Sequence, residues 1–409
     1  METGTGRRSR RRSTRAVVGL VLAVVTASLG TSSVTVAVPS IGPALGVGTD
    51  RAQWVLTAYL VAVFVLVLPA GWAGDRWGRL RVVRLGTVVH LVGTVACVVA
   101  PSWGALVAAR SAQGAGAAAM MVLAVALGRD LAAASGVGRT MGLLGSASAI
   151  GTAVGPSLGG LATQAAGWRA ALAVGLPLGV LVLLLLRPVR SAPGGDPPRR
   201  ARSRPATQLP APAVLGGSAV VLLIGAVMMT TLVAGPYQLG ALGLGSAATG
   251  LVMSLGPVGS MLSGVPAGRL VDRVGPVRSA SLGLVLALAG ATGLAVVPVA
   301  WGPAGYAGAL LVLTPGYALV QAGCTTAVLL DAAAQDRGQL SAVLLLARNL
   351  GLVVGAWGAG VLLAGAGAGG AQVVFAVAAA AVGLALVVWW ATSRVRGAAG
   401  AGLRGSRRP

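Results

Sequence analysis

The sequence predicts an all-α integral membrane protein, with twelve transmembrane helices in two six-helix, pseudo-symmetric bundles. Three observations predict it. The chain is 56% hydrophobic and only 10% charged, more apolar than a water-soluble core can hide. Uncharged runs long enough to cross a bilayer recur along its length. A charged, glycine-rich island at 71–81 (GWAGDRWGRLR) returns 197 residues later at 268–278 (GRLVDRVGPVR). The two copies align Gly71 with Gly268, Asp75 with Asp272, Arg76 with Arg273, Gly78 with Gly275 and Arg81 with Arg278. That offset is close to half of 409 residues, as expected for one unit laid down twice.

The elements follow in order. Residues 1–15 carry six arginines, and 16–39 carry no charge. The apolar core of a cleaved signal peptide runs to about 15 residues at most, so the longer run reads as a first membrane helix. Further apolar segments lie at 52–72, 82–100, 104–128, 139–163 and 168–186, then at 213–234, 246–267, 279–300, 303–329, 338–365 and 371–392. Residues 187–212, rich in Pro and Arg, read as a flexible linker outside the lipid. The organisation expected is a basic N-terminus (1–15), an N-terminal bundle (16–186), the linker (187–212), a C-terminal bundle (213–392) and a basic tail (393–409).

Arginines set the orientation. The 31 basic residues are all Arg, and basic residues flanking short loops are retained in the cytoplasm. With the N-terminus inside, 27 of them fall on the cytoplasmic side, against Arg51 and Arg169 outside and Arg110 and Arg348 within spans. Both termini and the linker are therefore expected in the cytoplasm of a multi-pass cell-membrane protein. The net charge of +23 then reflects topology and not nucleic-acid binding, for which no module is visible. Cys97 and Cys324 show no CxxC spacing and imply neither a disulfide framework nor a metal site. The 64 glycines suit helices that pack closely in lipid.

Twelve spans in two repeated halves, with Gly-x-x-x-Asp-Arg-x-Gly-Arg after the second, resemble the major facilitator superfamily across essentially the whole chain. Four further places resemble its drug/proton antiporter, or multidrug efflux, branch. They are Arg110 to Gly116 (RSAQGAG), Gly151 to Gly160 (GTAVGPSLGG), Gly167 to Arg169, and Gln53-Trp54 with Tyr59. The resemblance implies a conformational latch at the inner face, in which Asp75 and Arg79, with Gly71 and Gly78, meet Asp130 at the end of the fourth span. In the second copy Asp272, Arg273 and Gly275 remain, but Pro276 replaces the matching arginine, so that latch is expected to differ. Arg76 and Arg84 read as simple positive anchors. Gly151, Gly155, Pro156, Gly159 and Gly160 read as a kinked, close-packed helix forming an inner seal between the halves.

Charges inside lipid are costly and usually functional. Arg110 with Gln113, and Arg348, are therefore candidates for the substrate or proton pathway. His90, the lone histidine, can exchange a proton near neutral pH. Tyr237, Gln238 and Gln321 are candidate polar handles in an apolar cavity. Arg110 and Arg348 are each also open to being a packed arginine bound to backbone carbonyls, and His90 to being a packed core histidine satisfied by a carbonyl. One departure stands out: Gly30 occupies the place where this branch commonly has a first-span Asp. None of the eight acids lies mid-span, which leaves Asp130 and Asp331 as the nearest substitutes. The function expected is secondary active transport by alternating access. Its leading form is proton-coupled efflux of an apolar or amphipathic small molecule, such as a drug. The alternatives are a metabolite uniporter or importer without proton coupling, and a non-transporting sensor. Such a protein is not an enzyme. It needs no cofactor or metal beyond a proton gradient, binds no nucleic acid, and acts as a monomer with its substrate, protons and the bilayer as partners.

Overall fold

The computed structural model describes the backbone of residues 3–132, 137–187, 211–330 and 337–405. Nearly all of it is helical, as expected. The chain runs through α1 (Thr3–Ser32), α2 (Val38–Leu45), α3 (Thr49–Trp77), α4 (Arg79–Val99), α5 (Trp103–Ala132), α6 (Val137–Ala166) and α7 (Trp168–Ala173). It continues through α8 (Leu176–Leu186), α9 (Ala211–Ala241), α10 (Ser246–Val274), α11 (Pro276–Leu330), α12 (Arg337–Gly365) and α13 (Gly370–Gly405). Among the described residues ten candidate membrane spans are found by length and apolarity. Two adjustments reach the expected twelve. The 55-residue α11 is two spans, because Gly302 (φ 56°, ψ −142°), flanked by Pro298 and Pro303, breaks it. The 30-residue α6, with Pro156 inside it, supplies the other. The basic stretch expected as a separate N-terminus is instead the first part of α1, and the basic tail continues α13. Most of the expected linker lies outside the described residues.

The repeated island has a backbone cause. Gly78 joins α3 to α4 with φ 93°, and Gly275 joins α10 to α11 with φ 88°. Positive φ is open to glycine and strained for other residues, so both copies need glycine where the chain reverses between antiparallel helices.

Two compact units form, one of residues 1–201 with 239–258, the other of 202–238 with 259–409. The division differs from the expected bundles by assigning Leu239–Val258 to the first unit. The reason lies in the close packing of α6 on the first part of α10. The Ser157 amide donates to Ser254 Oγ (3.1 Å), the two hydroxyls lie 2.6 Å apart, and the Ala247 amide donates to Gln164 Oε1 (3.2 Å).

Inside each unit the helices cross on glycine. In the first, a Cβ added at Gly93 would fall 2.7 Å from the Gln113 amide nitrogen, and one at Gly86 would fall 3.0 Å from the Gly116 carbonyl oxygen. In the second, Gly290 stands against the Leu313 amide at 2.5 Å and Gly283 against the Gly316 carbonyl oxygen at 2.8 Å. Gly86 and Gly93 lie 197 residues before Gly283 and Gly290, so the offset of the island also governs the crossings. A second pair of crossings follows suit: Gly155 and Gly159 of α6 press on Ser32 and Ser33 of α1, while Gly351 and Gly355 of α12 press on Leu222 and Ala226 of α9. In lipid, where apolar groups gain nothing by leaving the solvent, such close van der Waals contact holds helices together. Gly93→Leu is therefore expected to lower the melting temperature of the detergent-solubilised protein, at a cost of about 1–3 kcal/mol for overpacking. Gly104→Leu, with nothing within 4 Å, should melt like the parent, and equal melting of both variants would contradict the crossing.

Candidate functional site

The best-built polar cluster lies in the first unit, around Arg110 of α5. Its side chain is 0% exposed. Nε donates to the Val55 carbonyl of α3 (2.8 Å), and Nη1 donates to the Gly30 carbonyl of α1 (2.9 Å) and to Gln113 Oε1 (2.5 Å). The guanidinium also stacks over the Tyr59 ring at 4.4 Å. Gln113 Nε2 passes the chain on to Thr94 Oγ1 (2.7 Å), which donates to the His90 carbonyl (2.7 Å). Tyr59 donates its hydroxyl to the Ala27 carbonyl (2.7 Å). One connected set of bonds thus ties α1, α3, α4 and α5 together. Arg110 is held by two backbone carbonyls and by Gln113.

The segment from Arg110 to Gly116 folds this way for a physical reason. Arg110 and Gln113 sit one turn apart on one face. Gly114 lets the α3 backbone approach, with its added Cβ 3.1 Å from the Tyr59 Cα, and Gly116 admits α4, with its own 2.8 Å from the His90 Cβ. Arginine supplies the donors, and Gly114 brings the α3 acceptor within reach.

Two polar atoms of the cluster have no partner, Arg110 Nη2 and His90 Nε2. His90 Nδ1 lies 3.1 Å from the Gln113 carbonyl. A carbonyl only accepts, which places the hydrogen on Nδ1 and the lone pair on Nε2. Gly30, at the place expected for a first-span acid, faces this cluster: a Cβ there would lie 3.1 Å from His90 Cε1 and 3.1 Å from the Tyr59 hydroxyl. Imidazole and phenol occupy the space a first-span carboxylate would need.

At the island, two of the expected latch residues meet. Arg79 binds Asp75 Oδ1 through Nη2 (3.0 Å) and Nε (3.2 Å), across the Gly78 turn, with side-chain exposures of 23% and 57%. Exposed pairs of this spacing are worth about 0.3–0.5 kcal/mol. The side chain of Asp130 and the whole of Asp331 lie outside the described residues. Gly71 has open space around it, and Asp272 and Arg273 form no ion pair among the described residues. Arg84, expected as an anchor, instead donates to the Leu186 and Arg187 carbonyls and so caps the C-terminal end of α8. Arg169 does the same for α4, through Val98 and Ala100 (both 3.1 Å), while stacked on Trp168 at 4.1 Å.

The expected inner seal is placed otherwise. Gly160 and Pro156 meet Ser246 and Gly250 at the start of α10, and Gly160 is near the end of α6 that leads into α7. On the orientation implied by the arginines, that end is the outer one. The physical reason is that the small face after Pro156 comes late in α6, a helix that on that same orientation starts at the inner side. In the second unit Arg348 Nε donates to Tyr317 Oη (3.1 Å), and Gln238 Nε2 donates to the Leu294 carbonyl (3.2 Å). Gln321 Oε1 is buried without a partner, and Tyr237 is partly buried. Sequence reasoning missed Thr94 and the Val55, Gly30 and Ala27 carbonyls; only the register of two crossing helices brings them to Arg110.

Arg110→Leu should lower folded-state stability by about 2–4 kcal/mol, because it leaves buried carbonyls and Gln113 without donors. Arg110→Lys, which cannot reproduce the planar fork, should recover less than half of that. An unchanged melting temperature in both variants would show that the network carries no load.

A family model, the Major Facilitator Superfamily, matches residues 20–356. The multidrug resistance protein Stp of Mycobacterium tuberculosis (strain ATCC 25618 / H37Rv) is 40% identical over 153 residues, covering 37% of this chain and 28% of that protein. The cephamycin export protein CmcT of Amycolatopsis lactamdurans is 37% identical over 203 residues, 48% of this chain and 41% of that protein. The chain thus spans less than half the length of either relative. Among solved structures, a bacterial homolog to the human lysosomal transporter Spinster, inward-facing and occupied, superimposes with a TM-score of 0.77 at 16% identity, over 92% of this chain and 96% of that one.

Proposed function

The chain belongs to the major facilitator superfamily, and we propose that it exports an amphipathic small molecule across the cell membrane in exchange for protons. It works as a monomer, by alternating access, with both termini in the cytoplasm. The observation that carries this reading is the segment Gly151–Gly160. There the sequence resembles exporters, and there α6 lies close against two other helices, α1 through Gly151, Gly155 and Gly159 and α10 through Gly160. A helix with so little side-chain bulk can change its contacts without unlocking interdigitated side chains. The relatives named for multidrug resistance and for cephamycin export support the same direction.

Proton exchange needs a group that titrates. Among the described residues no carboxylate stands inside a span; Asp50, Asp75 and Asp272 lie in the end turns of α3 and α10. His90 Nε2, with its lone pair and no partner, is where a proton would arrive. A proton there sets a second cation beside Arg110, so uptake is favoured when the network opens and release when it closes. The Asp75–Arg79 pair at the Gly78 turn serves as part of the inner latch, with Asp130 as its proposed third member. A second reading, transport of a metabolite without proton coupling, is favoured by one observation: Gly30 leaves the first span without an acid.

In inverted membrane vesicles an imposed proton gradient should drive accumulation of exported dyes. His90→Gln should abolish that dependence on the gradient, and Arg79→Ala should slow transport about tenfold while leaving insertion intact. Accumulation that ignores the gradient in the parent protein would replace this reading by the uncoupled one.

A further inference from the structure

The two intramembrane arginines do different work, and the second points to the charge of the cargo. Arg110 is fully buried and committed to two backbone carbonyls, Gln113 and Tyr59. Arg348 is only partly buried, and among the described residues its one hydrogen-bond partner is Tyr317, bound through Nε. It lies eight residues into the apolar stretch Leu340–Gly365, about 12 Å along the helix, too deep to count as a surface charge. Gly225 of α9 lies tight against its backbone, the added Cβ 3.0 Å from the Arg348 carbonyl oxygen, while the side chain reaches α11. With Nε engaged, the two Nη groups form the free end of the fork, the edge that grips a carboxylate or sulfonate through two parallel N–H bonds.

Two groups of α11 belong to the same neighbourhood. Tyr317 fixes the guanidinium plane, and Gln321, one turn further along α11, keeps Oε1 buried and without a partner. A cation in lipid without a counter-ion is costly, and none of the described acids approaches this one. We propose that Arg348, with Tyr317 and Gln321, is the recognition site for an organic anion, so that the molecule exported is an amphipathic carboxylate, sulfonate or similar acid and not a cationic drug. This rests on the export reading above and names its substrate class. The anion supplies the counter-charge the span lacks, and Gln321 Oε1 accepts a hydrogen bond from a donor on the cargo next to its acidic group.

The test uses two xanthene dyes of similar shape and opposite charge, fluorescein (anionic) and rhodamine 123 (cationic), with the full-length protein. Inverted vesicles should accumulate fluorescein in preference to rhodamine 123. Arg348→Gln should cut fluorescein uptake at least tenfold, and Arg348→Lys should restore part of it. Wild-type fluorescein uptake by Arg348→Gln, or uptake of rhodamine 123 alone, would overturn the anion site while leaving export intact. If neither dye is moved, the export reading fails. Binding by protein in phosphatidylcholine nanodiscs then decides this inference: fluorescein binding lost in Arg348→Gln supports it, and no binding overturns it. Displacement of fluorescein by added phosphatidylglycerol would make the bound anion a lipid headgroup and overturn the assignment as cargo.

Discussion

Everything in the first unit depends on one constraint: a guanidinium placed where no water can solvate it must be satisfied by the protein itself. Arg110 meets that constraint by taking carbonyls from helices that would otherwise use them only for their own ladders. To bring Val55 of α3 and Gly30 of α1 within 3 Å, the helices must approach at van der Waals distance. That in turn demands Gly114 at the α3–α5 crossing, while Gly86, Gly93 and Gly116 close α4 onto α5. The small residues and the buried charge are therefore one design, in which close packing positions acceptors and the charge fixes the packing it requires.

The second unit repeats the frame without the charge. Its crossings at Gly283, Gly290 and Gly316 follow those of Gly86, Gly93 and Gly116, and by the register of Gly116 with Gly316 the place of Arg110 falls to buried Leu310. The register of Gly155 and Gly159 with Gly351 and Gly355 sets Arg348 opposite Thr152. Each unit thus carries one arginine at a different point of a shared scaffold, one closed upon backbone and one left with an open edge. Duplication explains the scaffold, and divergence at these two points gives the arginines different surroundings: backbone carbonyls in the first unit, the Tyr317 hydroxyl in the second.

Much of this was legible in the sequence. The 197-residue offset and the apolar runs give twelve spans, because the bilayer imposes a length on each helix. The positions of Arg110, Gln113, Gly114 and Gly116 could be read as a motif. What it does could not, since its partners are carbonyls and a carbonyl has no letter in a sequence. Gly30 read as the loss of an acid. Only the fold shows that His90 and Tyr59 fill the space, because that depends on the rotation of α1 against α3 and α4. The same ignorance of rotation made Arg84 an anchor, although it caps α8, and put the Gly151–Gly160 contacts at the inner end, although the later glycines of that face meet α10 near its start. The Gly78 turn was found as a repeat, and its φ of 93° supplies the reason for the repetition.

Arg110 is sealed inside the helix packing, whereas Arg348 is partly buried and bound through Nε alone among the described residues. Cysteine accessibility tests it most directly, because Cys97 and Cys324 are both buried and can be replaced by serine to give a silent background. In that background, R110C and R348C are each introduced into the full chain in membranes and exposed to a water-soluble, membrane-impermeant thiol reagent. R348C should label rapidly, and R110C should stay protected until the protein is denatured. Equal labelling of both, or labelling of R110C alone, would contradict it.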